Sequence, residues 1–216
     1  MFSKFRDPVS GLTHLLGVLV SMVGLVILIN ISLQLRDVRD LGVSIVFGIS
    51  LILLYSASSI YHLTYASQKV INVLRRIDHS MIYVLIAGSY TPICLISLRG
   101  KVGYSIFGVI WTLAILGILI KNFWFSAPRW LSTSFYIAMG WLVVLAFYPL
   151  SKVMPVSGVM WLVIGGVLYT VGGIIYALKI PKVKNKYFGF HEIFHIFVML
   201  GSLSHYWFVL KYIILA

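Results

Sequence analysis

Seven long stretches with almost no charge decide what this chain can become. Crossing a bilayer as a helix takes roughly 20 apolar residues, and such runs fall near 13–33, 42–64, 78–98, 102–120, 131–149, 155–178 and 191–213. They cannot all hide inside a soluble core. Charged residues make up only 10% of the chain, whereas a soluble fold uses about 25% to solvate its surface. A membrane β-barrel would instead show segments of about ten residues with alternating polarity. The pattern predicts an all-α integral membrane bundle of seven transmembrane helices, a single domain over residues 1–216 joined by short loops.

The formal net charge of +12 raises nucleic acid as a partner, but the cations stand in ones to fours at the ends of apolar runs and form no continuous basic face. Membrane lipids are the expected partners, and nucleic acid is not. No residue pattern identifies a protein partner. Lys4 and Arg6 precede the first run as they would in a signal peptide. However, Asp7, Pro8 and His14 interrupt that pattern and no small-residue cleavage site comes before Arg36, so the run is read as a retained helix. The N-terminus and the loops on its side hold eleven Lys and Arg residues against six on the other. The positive-inside rule then puts the N-terminus in the cytoplasm and the C-terminus outside. Cys94 is alone and cannot form a disulfide within the chain.

Small residues mark where helices can approach closely. Gly165, Gly166, Gly172 and Gly173 in the sixth run, with Gly140 in the fifth, are read as packing positions. Pro92 removes a backbone donor inside the third run and is expected to bend it. Trp124 and Trp130 are read as interfacial anchors.

With that orientation, the ionisable residues inside the runs collect at one end. His14 enters with the first run, His62 leaves with the second, Asp78 and His79 open the third, and His191, Glu192 and His195 open the seventh. Ionisable groups within membrane spans are costly and usually functional. His191 and His195 lie one helical turn apart on one face, which suits two ligands to one metal; Ser58 and His62 share that spacing. Three neutral imidazoles from His62, His191 and His195, with Asp78 acting through water, make a candidate site for zinc (Zn2+) with an open position. Zinc lowers the pKa of a bound water to ~7. Asp78 would hold that water or take its proton, and Ser58 would orient a ligand or stabilise a developing oxyanion. His205 lies about 15 Å beyond His195 at 1.5 Å per residue and is assigned to interhelical bonding. The stretch His191-Glu192-Ile193-Phe194-His195 also fits the H-E-x-x-H pattern of zinc proteases, which makes an intramembrane metalloprotease one alternative.

Three separated motifs carry a resemblance. Ser58-Ser59-Ile60-Tyr61-His62, then Arg76-Ile77-Asp78-His79 through Tyr83, then Ala87-Gly88-Ser89-Tyr90-Thr91-Pro92 resemble the first signature of the bacterial hemolysin III family. His191 to His195, with Gly201, Ser202 and His205, resembles the second. That family is similar to the progestin and adipoQ receptors and more distantly to alkaline ceramidases. The resemblance implies zinc bound by His62, His191 and His195, with Asp78 reaching it through water and Ser58 nearby. It also implies a multi-pass protein of the bacterial plasma (inner) membrane. The long soluble N-terminal region of the adiponectin receptors has no counterpart, so adiponectin-like signalling is not expected.

Three functions follow as expectations. The first is a zinc-dependent hydrolase of lipid amides or related membrane lipids, with Asp78 and Ser58 as its catalytic pair. The second is a receptor-like sensor or regulator in which zinc braces the bundle. The third is the pore-forming haemolysin of the family name. A pore calls for a polar stripe along several helices, whereas Leu113–Ile120 is solidly apolar.

Overall fold

The structure is a computed structural model that describes residues 5–35, 37–124, 127–182 and 188–216. The loop cations Lys4, Arg36, Lys184 and Lys186 lie outside the described residues. Seven helices are long and apolar enough to cross a membrane: α1 (Pro8–Leu35), α2 (Val38–Leu63), α3 (Gln68–Ser97), α4 (Lys101–Phe123), α5 (Arg129–Val153), α6 (Val156–Leu178) and α7 (Phe190–Ile214). No strand occurs among the described residues. Contacts between neighbours close a ring in the order α1, α2, α3, α5, α6, α7 and back to α1, with α4 packed outside against α3. Because successive helices run antiparallel, the start of α1, the end of α2 and the starts of α3, α5 and α7 share one end of the bundle.

Two helices begin five or more residues earlier than the apolar runs suggest. Helix α1 starts at Pro8, whose fixed φ suits the first helical position. The carbonyl of Asp7 accepts the Gly11 N–H, and the Asp7 N–H donates to the His62 carbonyl at 3.0 Å. Helix α3 starts at Gln68 rather than near residue 78. Its first turns carry Lys69, Arg75 and Arg76, which lower the hydropathy without breaking the helix. Asp78 and His79 therefore do not open the third helix. They sit about three turns inside it.

Breaks in the helices have identifiable causes. After Pro92, which has no N–H to donate, α3 widens into a π-helical turn over Ile93–Ser97. In α5 the backbone tightens to a 3-10 turn over Leu142–Ala146. Tyr90 of α3 stitches that turn, its hydroxyl donating to the Gly140 carbonyl at 2.6 Å and accepting the Val143 N–H at 2.7 Å. Nothing in the fifth run announces this break.

The core is built on α2 and α3. Phe47, Leu51 and Leu54 of α2 pack with Leu28 of α1 and with Val198 and Phe208 of α7. Glycine allows the closest approaches. A Cβ at Gly103 of α4 would lie 2.1 Å from the Cys94 carbonyl oxygen of α3, and one at Gly165 of α6 would lie 2.1 Å from the His205 ring. Gly172 meets Phe197 similarly. Gly140 departs from the expectation: among the described residues, its own helix backbone and chain neighbours aside, no atom lies within 4 Å of where its Cβ would be, and it borders a cavity. Trp124 and Trp130, at the ends of α4 and α5, are both exposed.

Candidate metal centre

Three imidazoles meet at the shared end of the bundle. One ring nitrogen each from His62, His191 and His195 falls within a group whose members lie within 4.8 Å of one another. His62 comes from the last turn of α2. His191 and His195 come from the first two turns of α7, stacked one above the other because i and i+4 share a helix face. The Nε2 atoms of His62 and His191 are 3.1 Å apart. Ligand nitrogens around a tetrahedral ion with bonds of 2.0–2.1 Å stand about 3.3 Å apart, so the His62–His191 pair is spaced as a shared ion would hold it.

The partners of the outer ring nitrogens fix the tautomers. His62 Nδ1 lies 3.1 Å from Asp7 Oδ2. Asp7 has its carboxyl held down to about 2, first by this hydrogen bond and then by Arg6, against the opposing effect of burial. A carboxylate only accepts, so Nδ1 of His62 donates and its Nε2 presents a lone pair. Likewise His195 Nδ1 lies 3.3 Å from the Ser10 carbonyl oxygen, which leaves its Nε2 as the free acceptor. Arg6 in turn holds Asp7 through a 2.9 Å bond from Nε and lies over the Tyr61 ring at 4.0 Å. Metal-binding histidines are oriented in this way by carboxylates and carbonyls. The donor set fits zinc or a similar borderline metal, and His62, His191 and His195 are the residues that would hold it.

Asp7 and Ser10 have no place in the sequence reading of the site. Asp7 counts there only as an interruption of a signal-like segment, although an acid followed by Pro8 is a recognisable helix start. Ser10 acts through its backbone carbonyl, which no side-chain pattern reveals. His14 also joins the cluster: its ring stacks on His195 with centroids 3.6 Å apart and planes 8° from parallel.

The remaining sequence candidates separate by position. Ser58 and Asp78 border the same cavity as His191 and His195. Ser58 hydrogen-bonds Asp78, and His62 and Arg75 act on its charge. Asp78 is not in the three-histidine group. Glu192 points elsewhere. One oxygen accepts the Gly189 N–H at 2.8 Å, capping α7, and the other accepts the Ser10 hydroxyl. His79 offers its carbonyl to the Tyr136 hydroxyl at 3.2 Å. His205 reaches the Leu162 carbonyl of α6 at 3.2 Å.

The cavity measures about 170 Å³ and runs between the helices of the ring. Its walls include both His191 and His205, a separation of ~21 Å along α7 at 1.5 Å per residue. Ile82, Ile86, Ile137, Phe194 and Val198 make much of it apolar.

Comparison with known proteins agrees with this architecture. The family described as "Haemolysin-III related" matches residues 2–206. The chain belongs to that family. The Hemolysin-3 homolog of Bacillus subtilis (strain 168) is 38% identical over 212 residues, covering 98% of this chain and 96% of the relative. Hemolysin-3 of Bacillus cereus is 38% identical over 210 residues, covering 97% and 92%. The human monocyte to macrophage differentiation factor is 23% identical over 207 residues, covering 93% and 82%. Seven apolar helices and full-length likeness to bacterial haemolysin-III proteins identify a multi-pass protein of the bacterial plasma membrane.

Proposed function

We propose that this haemolysin-III protein is a zinc-dependent hydrolase of lipid amides or related membrane lipids. The observation that carries the reading is the opening of the three-histidine cluster onto an apolar cavity whose wall also holds Asp78 and Ser58. A purely structural metal site is normally closed by four protein ligands, whereas a catalytic one keeps a position open. Zinc bound there supplies Lewis acidity toward a carbonyl oxygen and a more acidic water.

In this reading the chain's own residues divide the remaining tasks. Asp78 takes a proton from the attacking water and passes it to the leaving amine. Ser58 is a positioning residue, since its hydroxyl is bonded to Asp78. The apolar cavity holds the acyl chain and keeps bulk water from the reacting carbonyl. The excess of loop cations at the histidine end supports a site that faces the cytoplasm.

The test is release of free fatty acid from N-acyl lipids by the zinc-loaded protein in detergent, followed by mass spectrometry. Asp78→Ala should lower release by at least ~100-fold while keeping its metal. Absence of release from every N-acyl lipid by fully loaded protein would count against hydrolysis. It would favour the second reading, a sensor braced by metal, for which the tying of α2 to α7 through one cluster speaks.

A further inference from the structure

The cavity has a far end as well as a metal end, and aromatic rings close it. Tyr90 of α3, Trp141 of α5 and His205 of α7 are the last described residues of those helices to border it. Each ring is pinned at its polar edge. The Trp141 indole Nε1 donates to the Thr170 hydroxyl at 2.9 Å. His205 Nε2 lies 3.2 Å from the Leu162 carbonyl oxygen, and the Tyr90 hydroxyl donates to the Gly140 carbonyl at 2.6 Å. Side chains locked by such bonds hold a fixed position, so the far end is a stiff stop supplied by three helices.

Two glycines keep the space beside this stop open. A Cβ on Gly140 would meet no described atom within 4 Å outside its own helix backbone and chain neighbours. One on Gly166 would meet the Trp141 ring at 3.7 and 3.9 Å, an ordinary contact. Both border the cavity. Gly165 and Gly172 behave differently, since a Cβ there would lie 2.1 Å from the His205 ring and 2.9 Å from the Phe197 Cβ. The second pair lets helices touch. The first pair leaves room that no side chain fills, although an unfilled apolar space costs stability. Between Asp78 and the stop, the walls of that room include Leu85, Ile86, Ile137 and Val198.

We infer that the cavity gauges chain length: it takes one acyl chain of about 14–16 carbons, with Gly140 and Gly166 as specificity-determining positions and Trp141 as the stop. The inference deepens the proposed function and rests on its reading of the cavity as the acyl-chain site, but not on turnover. The depth of the cavity sets the length. His195 to His205 along α7 spans ~15 Å, and Asp78 to Tyr90 along α3 spans ~18 Å, at 1.5 Å per residue. An extended chain advances ~1.2 Å per bond, as a polypeptide does in covering 3.3–3.6 Å with three bonds. Half of a hydrocarbon core of ~30 Å is ~15 Å, so the depth also matches the chains of one leaflet. For the hydrolase this names the substrate class: lipids with a chain of ordinary membrane length rather than short acyl amides.

Calorimetry on the detergent-purified protein tests this with octanamide, hexadecanamide and icosanamide. Each variant is compared with wild type in the same detergent, which cancels the partition of the amides into micelles. Gly140→Leu should weaken hexadecanamide at least ~10-fold, because each methylene displaced from the cavity is worth about fourfold. It should leave octanamide unchanged. Trp141→Ala should strengthen icosanamide at least ~10-fold, a gain that misfolding cannot produce. Gly108→Leu, on the exposed face of α4 where a Cβ also meets nothing within 4 Å, should change neither. An unaltered unfolding temperature shows that a variant is folded. Equal effects of Gly140→Leu on octanamide and hexadecanamide in folded protein, or none on either, would overturn the inference. So would a Trp141→Ala variant that gains nothing for icosanamide. Wild-type protein that binds none of the amides would overturn it together with the acyl-chain reading of the cavity. Length-dependent binding without release of ammonia upholds the inference and counts against hydrolysis alone.

Discussion

Helix α7 carries two buried polar clusters that look alike in sequence and differ in what they leave open. At its start, His191 and His195 meet His62, with the Nδ1 atoms of His62 and His195 occupied and the opposite nitrogens converging. Two to three turns further on, Ser202 accepts the Tyr55 hydroxyl at 2.7 Å and pairs with the Tyr169 hydroxyl at 2.8 Å, while His205 bonds the Leu162 carbonyl. In the second cluster each contact joins a donor to an acceptor across helices, so it is largely self-satisfied. In the first, His62 and His195 keep a lone pair on Nε2, and His191 Nε2 stands 3.1 Å from that of His62. A self-satisfied network fastens helices together, whereas converging lone pairs call for a cation.

The largest expected effect separates the two clusters by metal content. His191→Ala should drop zinc from about one per chain to below ~0.1, read by elemental analysis of detergent-purified protein, whereas His205→Gln should retain it. Equal loss from both variants would break the distinction. Next in size is Asp7→Asn, which keeps the shape but removes the charge that orients His62. Metal affinity measured by chelator competition should fall ~10- to 100-fold, and an unchanged affinity would show that Asp7 serves only to start α1. Ser202→Ala should leave zinc in place but cost about 2 kcal/mol of stability, because two buried tyrosine hydroxyls lose their partner. Thermal unfolding in detergent reads this, and zinc loss without destabilisation would contradict it. The smallest effect is that of His205→Gln on stability, about 1 kcal/mol, since an amide can still donate to the Leu162 carbonyl.

Much of this was legible in the sequence because bilayers impose simple rules. Seven apolar runs give seven helices, since in hydrocarbon every backbone group must be satisfied within the segment. The gathering of His62, His191 and His195 follows from depth and antiparallel order alone. Helix boundaries were less legible where charge and helix overlap: Lys69, Arg75 and Arg76 lower the hydropathy of α3, yet the helix includes them. The 3-10 turn in α5 depends on Tyr90, some fifty positions away, and no local pattern encodes it. The supports of the metal centre were hidden for a similar reason. Asp7 acts through a contact with α2 and Ser10 through a main-chain carbonyl, so neither shows a spacing relative to the histidines it orients. Glu192 is the converse case. Its H-E-x-x-H position suggests a general base, and the fold uses both its oxygens to anchor the start of α7.

The central claim is that His62, His191 and His195 bind one metal and leave a position open. X-ray absorption at the zinc edge, on protein purified in detergent after growth with zinc, tests it most directly. The account predicts three imidazole nitrogens at about 2.0–2.1 Å and one further oxygen, with the imidazole signal lost in His195→Ala. Protein that folds without zinc, or zinc surrounded by oxygen alone, would contradict it.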